Sequence, residues 1–202
     1  MVTVEIDPVV VEQRLSSGGL ACPGCAGRLT GWGRARNRVV RGPDGPAAVT
    51  PRRSRCVRCR ATHVLLPVML LMRRADTAAV IGTALTARAA GHGHRRIAAA
   101  LGRPADTVRG WLRRFAARVE GVRAVFTGWC RALDPDPVLP GPTGTAWADA
   151  LAAIDAAARA VHARFGPGFG PGVVGVPVWQ VAVAVSTGGL LAPGWPAQTA
   201  PS

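Results

Sequence analysis

Apolar residues recur every three or four positions from Asp76 to Phe165, whereas the first seventy residues alternate in short runs broken by glycine, proline and cysteine. The first pattern belongs to amphipathic helices and the second to short strands joined by tight turns, so the chain reads as α+β, with its strands first. Residues 2–6 alternate as a strand. "DPVVVEQRLSSGG" then predicts a short helix capped by Asp7, with Pro8 in its first turn and Gly18 and Gly19 as its stop. Two strand-like runs flank "GPDG" at 42–45 as a hairpin, and "THVLLPVMLLM" at 62–72 reads as the last strand of the same unit.

From Asp76, taken as a cap, a helix with Val80, Ile81, Ala84 and Leu85 on one face runs to Gly91. A two-turn helix at 94–101 follows, and then one long helix from Pro104 to Leu133. On the long helix Val108, Leu112, Phe115, Val119, Val122, Phe126, Trp129 and Leu133 alternate four and three apart, a heptad seam. "DPDP" ends it, because proline cannot continue a helix. The segment 145–165 repeats the spacing at Trp147, Leu151, Ile154, Ala158, Val161 and Phe165, which predicts an antiparallel helical hairpin. Such seams can be buried within one chain or shared in a homodimer. The divisions that result are 1–72, 73–133, a Pro/Gly linker at 134–144, a C-terminal helical segment at 145–192 and a disordered tail at 193–202.

Charge changes the picture next. The chain has no lysine, 25 arginines and 11 acids, a net +14. Residues 1–131 hold 23 of the arginines and 7 acids, whereas 132–202 hold 2 arginines and 4 acids. A field of that sign draws polyanions to the first two thirds of the chain. A GC-rich genome also favours arginine, so the asymmetry is more informative than the lack of lysine. The N-terminus "MVTVEIDP" has neither a basic start nor an apolar core of a secretory signal, which points to the cytoplasm and, for a DNA binder, the nucleoid. Val173 to Ala192 is uncharged and long enough for a membrane span, but Pro177, Gln180, Ser186, Thr187, Gly188 and Gly189 favour a packed segment.

Four of the five cysteines fall in two pairs, Cys22 and Cys25 in "CPGC" and Cys56 and Cys59 in "CVRC". Each pair sets two thiolates on a tight turn, with Gly24 read as relieving the first turn. Two such knuckles give the four sulfurs of a structural zinc site, so 1–72 reads as a zinc ribbon with Zn2+ as its cofactor. His63 is a spare donor only if one cysteine is excluded, and otherwise a strand residue. Cys130 stands apart as a small buried hydrophobe. Arg28, Arg55, Arg58 and Arg60 would offset the charge of four thiolates. Arg34, Arg36, Arg38, Arg41, Arg52 and Arg53 on the strands would either join them or touch phosphate.

"GHRRIAAALGRPADTVRGWLRRF" carries the helix-turn-helix pattern: Ile97, Ala98 and Leu101 inward, Ala98 small where two helices cross, Gly102 in the turn, and Val108, Trp111, Leu112 and Phe115 buried by the second helix. Arg103, Asp106, Arg109, Arg113 and Arg114 then face outward, with Arg95 and Arg96 at the start of the first helix. Early outward positions of the second helix meet base edges and flanking arginines take phosphates, so the expected partner is double-stranded DNA. Arg109 is the candidate for guanine and Thr107 for a phosphate. His92 and His94 read as loop or cap residues.

The segment resembles the helix-turn-helix at the front of insertion-element transposases and in homeodomain-like bacterial DNA binders. Taken with "CPGC…GWGRARNRVVRG…PRRSRCVRCRATHVLLP", residues 20–135 resemble a transposon-associated bacterial family in which a zinc ribbon precedes a helix-turn-helix. The resemblance implies DNA targeting by a transcriptional regulator or a mobile-element protein. It would place a good N-cap before the second helix, where this chain has Arg103. No enzyme is expected: Asp134 and Asp136 lie in a proline loop, Asp149 and Asp155 on a helix, and about 70 residues after Leu133 are too few for a two-metal recombinase core. No small-molecule substrate is implied. The alternative is a non-catalytic fragment or accessory subunit of a transposase.

Overall fold

The computed structural model describes residues 1–166 and 177–196. Its strands are β1 (Val2–Val4), β2 (Leu29–Arg34), β3 (Arg38–Gly42), β4 (Gly45–Val49), β5 (Arg52–Cys56) and β6 (Thr62–Pro67). Its helices are α1 (Pro8–Ser17), α2 (Ala78–Ala89), α3 (His94–Leu101), α4 (Ala105–Ala116), α5 (Val119–Leu133), α6 (Ala146–Phe165) and α7 (Val178–Val185). The chain is α+β, with the strands first, as the hydrophobic pattern predicts.

The first four elements of local chemistry behave as their residues dictate. The Asp7 side chain accepts from the Val9 N–H at 2.8 Å, Pro8 opens α1, and Gly18 closes it at φ 79°. α1 packs Val11 and Leu15 on the inner face of a four-stranded sheet ordered β1-β6-β5-β2, against Val4, Leu29, Cys56 and Leu65. The hairpin around "GPDG" forms as β3 and β4, with Gly42 opposite Gly45. It is not one continuous ribbon with β2 and β5: β3 and β4 make their own two-stranded sheet, whose buried Val40 packs on Leu66 and Leu70.

Asp76 joins the two halves. Its carboxylate is 2% exposed and accepts from Arg41 Nη2 of β3 at 2.7 Å and from Arg103 Nε, just before α4, at 2.6 Å. The sequence pattern makes it the cap of α2, but Thr77 holds that position. The reason is tertiary: backbone bonds from Arg41 N–H to Ala75 C=O and from Thr77 N–H to Arg41 C=O draw this segment alongside β3, which turns the carboxylate away from the helix end.

The expected 104–133 helix is two helices. α4 ends at Ala116, and Arg118 leaves the helical region at φ −135°, ψ 3°. No glycine or proline marks the break. Arg118 is fixed there by bonds from its guanidinium to Trp195 C=O at 2.9 Å and to Arg114 C=O at 2.5 Å, so α5 departs in a new direction. Most of the seam is buried, but Trp129 is exposed and Cys130 takes the inward place.

α5 and α6 do pack along their seams, and within the chain. They run in the same direction rather than antiparallel. Trp147, at the start of α6, meets Phe115 edge-on at 4.7 Å, just ahead of α5, and donates its indole N–H to Leu85 C=O at 3.0 Å. The 134–145 connection runs back along α5, with Pro140 and Pro142 beside Arg123 and Thr127, and Thr143 fastens it to Asp149 through its N–H and hydroxyl at 2.6 and 2.7 Å. The proline-rich stretch that reads as a linker is thus a strap.

Among the described residues no helix is long and apolar enough to cross a membrane. α7 is short and packs on α2, where Trp179 lies over Gly82. The expected tail falls partly outside the described residues; of its first part, Trp195 holds Arg118 and its ring packs on Gly189. A Cβ added at Gly82 would sit 1.9 Å from the Trp179 ring. Gly82→Ala is therefore expected to destabilise the protein by about 1–3 kcal/mol, because overpacking outweighs the gain in helix propensity. Denaturant unfolding with unchanged m-value checks this.

Candidate metal centre and nucleic-acid interface

The two cysteine pairs fold as equivalent knuckles. In the first, Ala26 N–H donates to Cys22 C=O at 2.8 Å and Cys22 N–H to Gly27 C=O at 2.8 Å; in the second, Arg60 N–H donates to Cys56 C=O at 3.1 Å and Cys56 N–H to Ala61 C=O at 2.9 Å. The residue after each second cysteine takes the left-handed conformation, Ala26 at φ 57° and Arg60 at φ 64°. β2 and β5 carry the knuckles to the same place because Leu29 pairs with Cys56. The 30-residue interval is absorbed by the β3–β4 excursion.

All four sulfurs lie within 4.8 Å of one another, with Cys22 to Cys59 at 3.7 Å and Cys25 to Cys56 at 3.5 Å. A tetrahedral zinc with bonds of about 2.3 Å requires sulfurs roughly 3.8 Å apart. The donor set and its spacing therefore fit such an ion, and none of the four is in a disulfide. Burial runs from fully buried Cys22 and Cys56 to exposed Cys59.

The glycine that this geometry needs is Gly27, not Gly24. A Cβ on Gly27 would meet Cys56 Sγ at 3.0 Å and Arg58 Cβ at 2.8 Å, whereas one on Gly24 meets only Cys22 Sγ at 4.0 Å. His63 on β6 lies behind the cluster, its Nε2 3.4 Å from Cys22 Sγ and its Nδ1 3.2 Å from the N-terminal nitrogen. It is placed to orient Cys22 as an outer partner. The Cys59 N–H, aimed at Cys56 Sγ, lowers that thiol to about 6 despite its burial. For Cys59 an N–H at Ala61 acts in the same sense, but the sulfurs of Cys25 and Cys56, burial and Cys22 outweigh it and raise the thiol to about 11. Four thiols this close cannot all ionise without a cation among them. Cys130 is elsewhere, buried on α5, and burial raises its thiol.

The second candidate surface is built on α2, α3 and α4. Ile97 and Ala98 of α3 and Val108, Trp111, Leu112 and Phe115 of α4 are buried against Ile81, Ala84 and Leu85 of α2. Gly102 makes the turn at φ 60°, and Arg103 N–H closes it onto Ala98 C=O at 3.0 Å. α4 begins after Pro104, so the absence of a polar cap is resolved by a proline just before the first turn.

The predicted contact residues separate into two groups. Arg95 and Arg96 are exposed at the start of α3, and Asp106, Arg109 and Arg113 are exposed on one side of α4, Asp106 and Arg109 forming a loose 3.9 Å pair; Thr107 is half-buried beside them. Arg103 and Arg114, expected outward, are held in the frame. Arg103 binds Asp76 and the Leu101 C=O at 3.0 Å, and Arg114 donates to Gly110 C=O at 2.9 Å. Two strand arginines are also committed: Arg41 to Asp76 and Arg52 to Glu12 at 2.6 Å. The roles of Asp76, Gly27 and Arg118 have no sequence signal, since each depends on a partner distant in the chain.

Comparison with known proteins bears on this second surface. Residues 76–123 match the family model of a homeodomain-like domain. The match begins at Asp76, spans α2, α3 and α4, and ends in the first turn of α5. No curated protein and no solved structure matches the chain. A helix-turn-helix of this kind supports DNA as a partner, and the cysteine cluster is compatible with a bound metal.

Cys22→Ser and Cys59→Ser are each expected to lose metal and to loosen the sheet and α1, because metal binding and folding are coupled in such sites. Metal stoichiometry and limited proteolysis check this. At pH 7 a Cys59 thiol raised to about 11 is still protonated, so metal addition to the stripped protein should release at least one proton, and metal should be lost as acid reprotonates the sulfurs. Asp76→Ala should cost about 3 kcal/mol, since it strands two guanidinium groups, of which only Arg41 is exposed enough to rehydrate readily. Chemical denaturation measures the loss.

Proposed function

We propose that this chain is a sequence-specific binder of double-stranded DNA, with α4 in the major groove and a structural zinc ion in the four-cysteine site. The observation that carries this reading is the outer side of α4: Asp106, Arg109 and Arg113 have no task in the fold, while the opposite side of the helix is fully buried. Arg109 and Arg113 present forked donors suited to guanine O6 and N7, and Asp106 an acceptor for a cytosine amino group. Arg95, Arg96 and Thr107 sit where flanking phosphates would run. Arg103 and Arg114 act indirectly, by fixing the start of α4 and its last turns.

In this reading the protein works by binding rather than by catalysis, as a transcriptional regulator or as the targeting component of a mobile element, at the nucleoid. What supports a non-catalytic role is that the match falls on a DNA-binding fold and that the acids of α4 and α5 are single surface residues; Glu120, for example, pairs with Arg123 at 3.1 Å. Selection of duplexes from a random pool, followed by binding of variants, tests it. Arg109→Ala should relax preference at one base pair at a cost of roughly 1–3 kcal/mol, whereas Arg95→Ala should weaken all duplexes alike and reduce the salt dependence by about one phosphate contact. Equal losses on selected and random duplexes for both variants would reject the groove assignment.

A further inference from the structure

The outer face of the four-stranded sheet has no task in either site. α1 covers the inner face, to which Leu29, Ser54, Cys56, His63 and Leu65 belong. Strand alternation puts Thr30, Arg53, Arg55, Thr62 and Val64 on the other side, where Arg53 pairs with Val64 and Arg55 with Thr62. None of these five is buried.

A bulge sets one large aromatic on this face. Gly31 pairs with Ser54 and Arg34 with Arg52, so Trp32 and Gly33 together oppose Arg53. Gly33 accommodates the bulge at φ 90°, and Arg52 Nη1 pins it by donating to Gly33 C=O at 2.6 Å. Bulges re-aim side chains, and this one leaves Trp32 51% exposed, whereas Leu29 at the start of the same strand is fully buried. The Arg55 guanidinium stacks on the indole at 4.6 Å, and about half of the Trp32 side chain stays open to solvent. Exposed tryptophan costs hydrophobic free energy.

The surroundings are cationic without relief. Among residues 27–60 there are 10 arginines and one acid, Asp44, at the far tip of the β3–β4 hairpin. Glu12, the nearest acid with a partner on this sheet, is already taken by Arg52. Arg36, exposed just after the strand that bears Trp32, has no acid partner among the described residues, and the Nε of Arg53, directly opposite the bulge, is buried without a hydrogen-bond partner.

We propose that this face is a second binding site, for an unpaired stretch of polynucleotide: a base stacks on Trp32 beside Arg55, and the neighbouring phosphates meet Arg53 and Arg36. A duplex keeps its base faces stacked inside the helix, so an exposed indole ring finds no partner there; an unstacked strand offers both ring faces and a flexible backbone that can follow scattered cations. Base–aromatic stacking tolerates any sequence, so this site would hold a strand regardless of its order while α4 selects a duplex. The site stands on the ribbon alone and does not require the major-groove reading of α4.

Fluorescence anisotropy of the full-length, metal-loaded protein with a labelled oligothymidylate and with a random duplex of equal length tests this. The unmodified protein should bind the single strand, and Trp32→Ala should weaken that binding roughly 5- to 100-fold while leaving the duplex affinity and the metal stoichiometry unchanged. Trp32→Phe should restore most of the loss, and Arg109→Ala should leave single-strand binding intact. Oligothymidylate affinity equal in Trp32→Ala and the unmodified protein overturns the proposal. So does an equal loss on duplex and single strand, which would instead assign the face to duplex contact.

Discussion

A buried carboxylate with two arginine partners is the constraint on which the arrangement of this chain rests. Asp76 is reached from one side by β3 of the hairpin and from the other by Arg103, just before α4. Burying one carboxylate is costly unless it is paired, and here each partner comes from a different part of the chain. Moving either the hairpin or the α3–α4 turn would leave the charge alone. The same junction is reinforced by backbone pairing of Arg41 with Ala75 and Thr77. The consequence is that the hairpin cannot swing freely beside the helices, and the residue at the α3–α4 turn is fixed from outside the helical unit.

The cysteine knuckles impose a second, local constraint. Two identical turns bring four sulfurs to spacings that suit one tetrahedral ion, and the strands between them set the register. The ribbon has a modest core: α1 contributes two buried residues and the sheet a handful more. A core that small would gain much of its stability from an ion held by the four sulfurs. The arginines that crowd the knuckles, Arg28 and Arg58 among them, donate to Ser16 C=O and Cys25 C=O. On the opposite face of the sheet Arg55 donates to Arg60 C=O at 3.3 Å, whereas the Nε of Arg53 has no hydrogen-bond partner.

In the helical half, the order of events along the chain hides the packing. α6 does not fold back on α5 but returns to its start and lies parallel to it, so Trp147 can close the core of α2, α3 and α4 over Phe115. This placement needs the long 134–145 connection, and that explains why a proline-rich stretch is strapped along α5. The C-terminal residues complete the same region, since the Trp195 carbonyl holds the Arg118 side chain where α4 gives way to α5.

Much of this was legible in the residues themselves, wherever the cause is local. Asp7, Pro8 and Gly18 bound α1, Gly102 makes the turn before α4, "GPDG" makes a hairpin, and the two cysteine pairs converge, because capping, positive φ and short-turn chemistry act over a few residues. The buried faces of α3 and α4 followed from their period. What only the tertiary structure decided depends on distant partners. Asp76 is a strut and not a cap because Arg41 and Arg103 arrive from elsewhere. The break at Arg118 has no breaker residue and is set by a carbonyl 77 positions away. The parallel course of α5 and α6 is invisible to a heptad pattern, which is the same read in either direction. Arg103, Arg109 and Arg114 are the same residue type on one stretch of chain; the fold alone determines which of them is left free to meet a ligand.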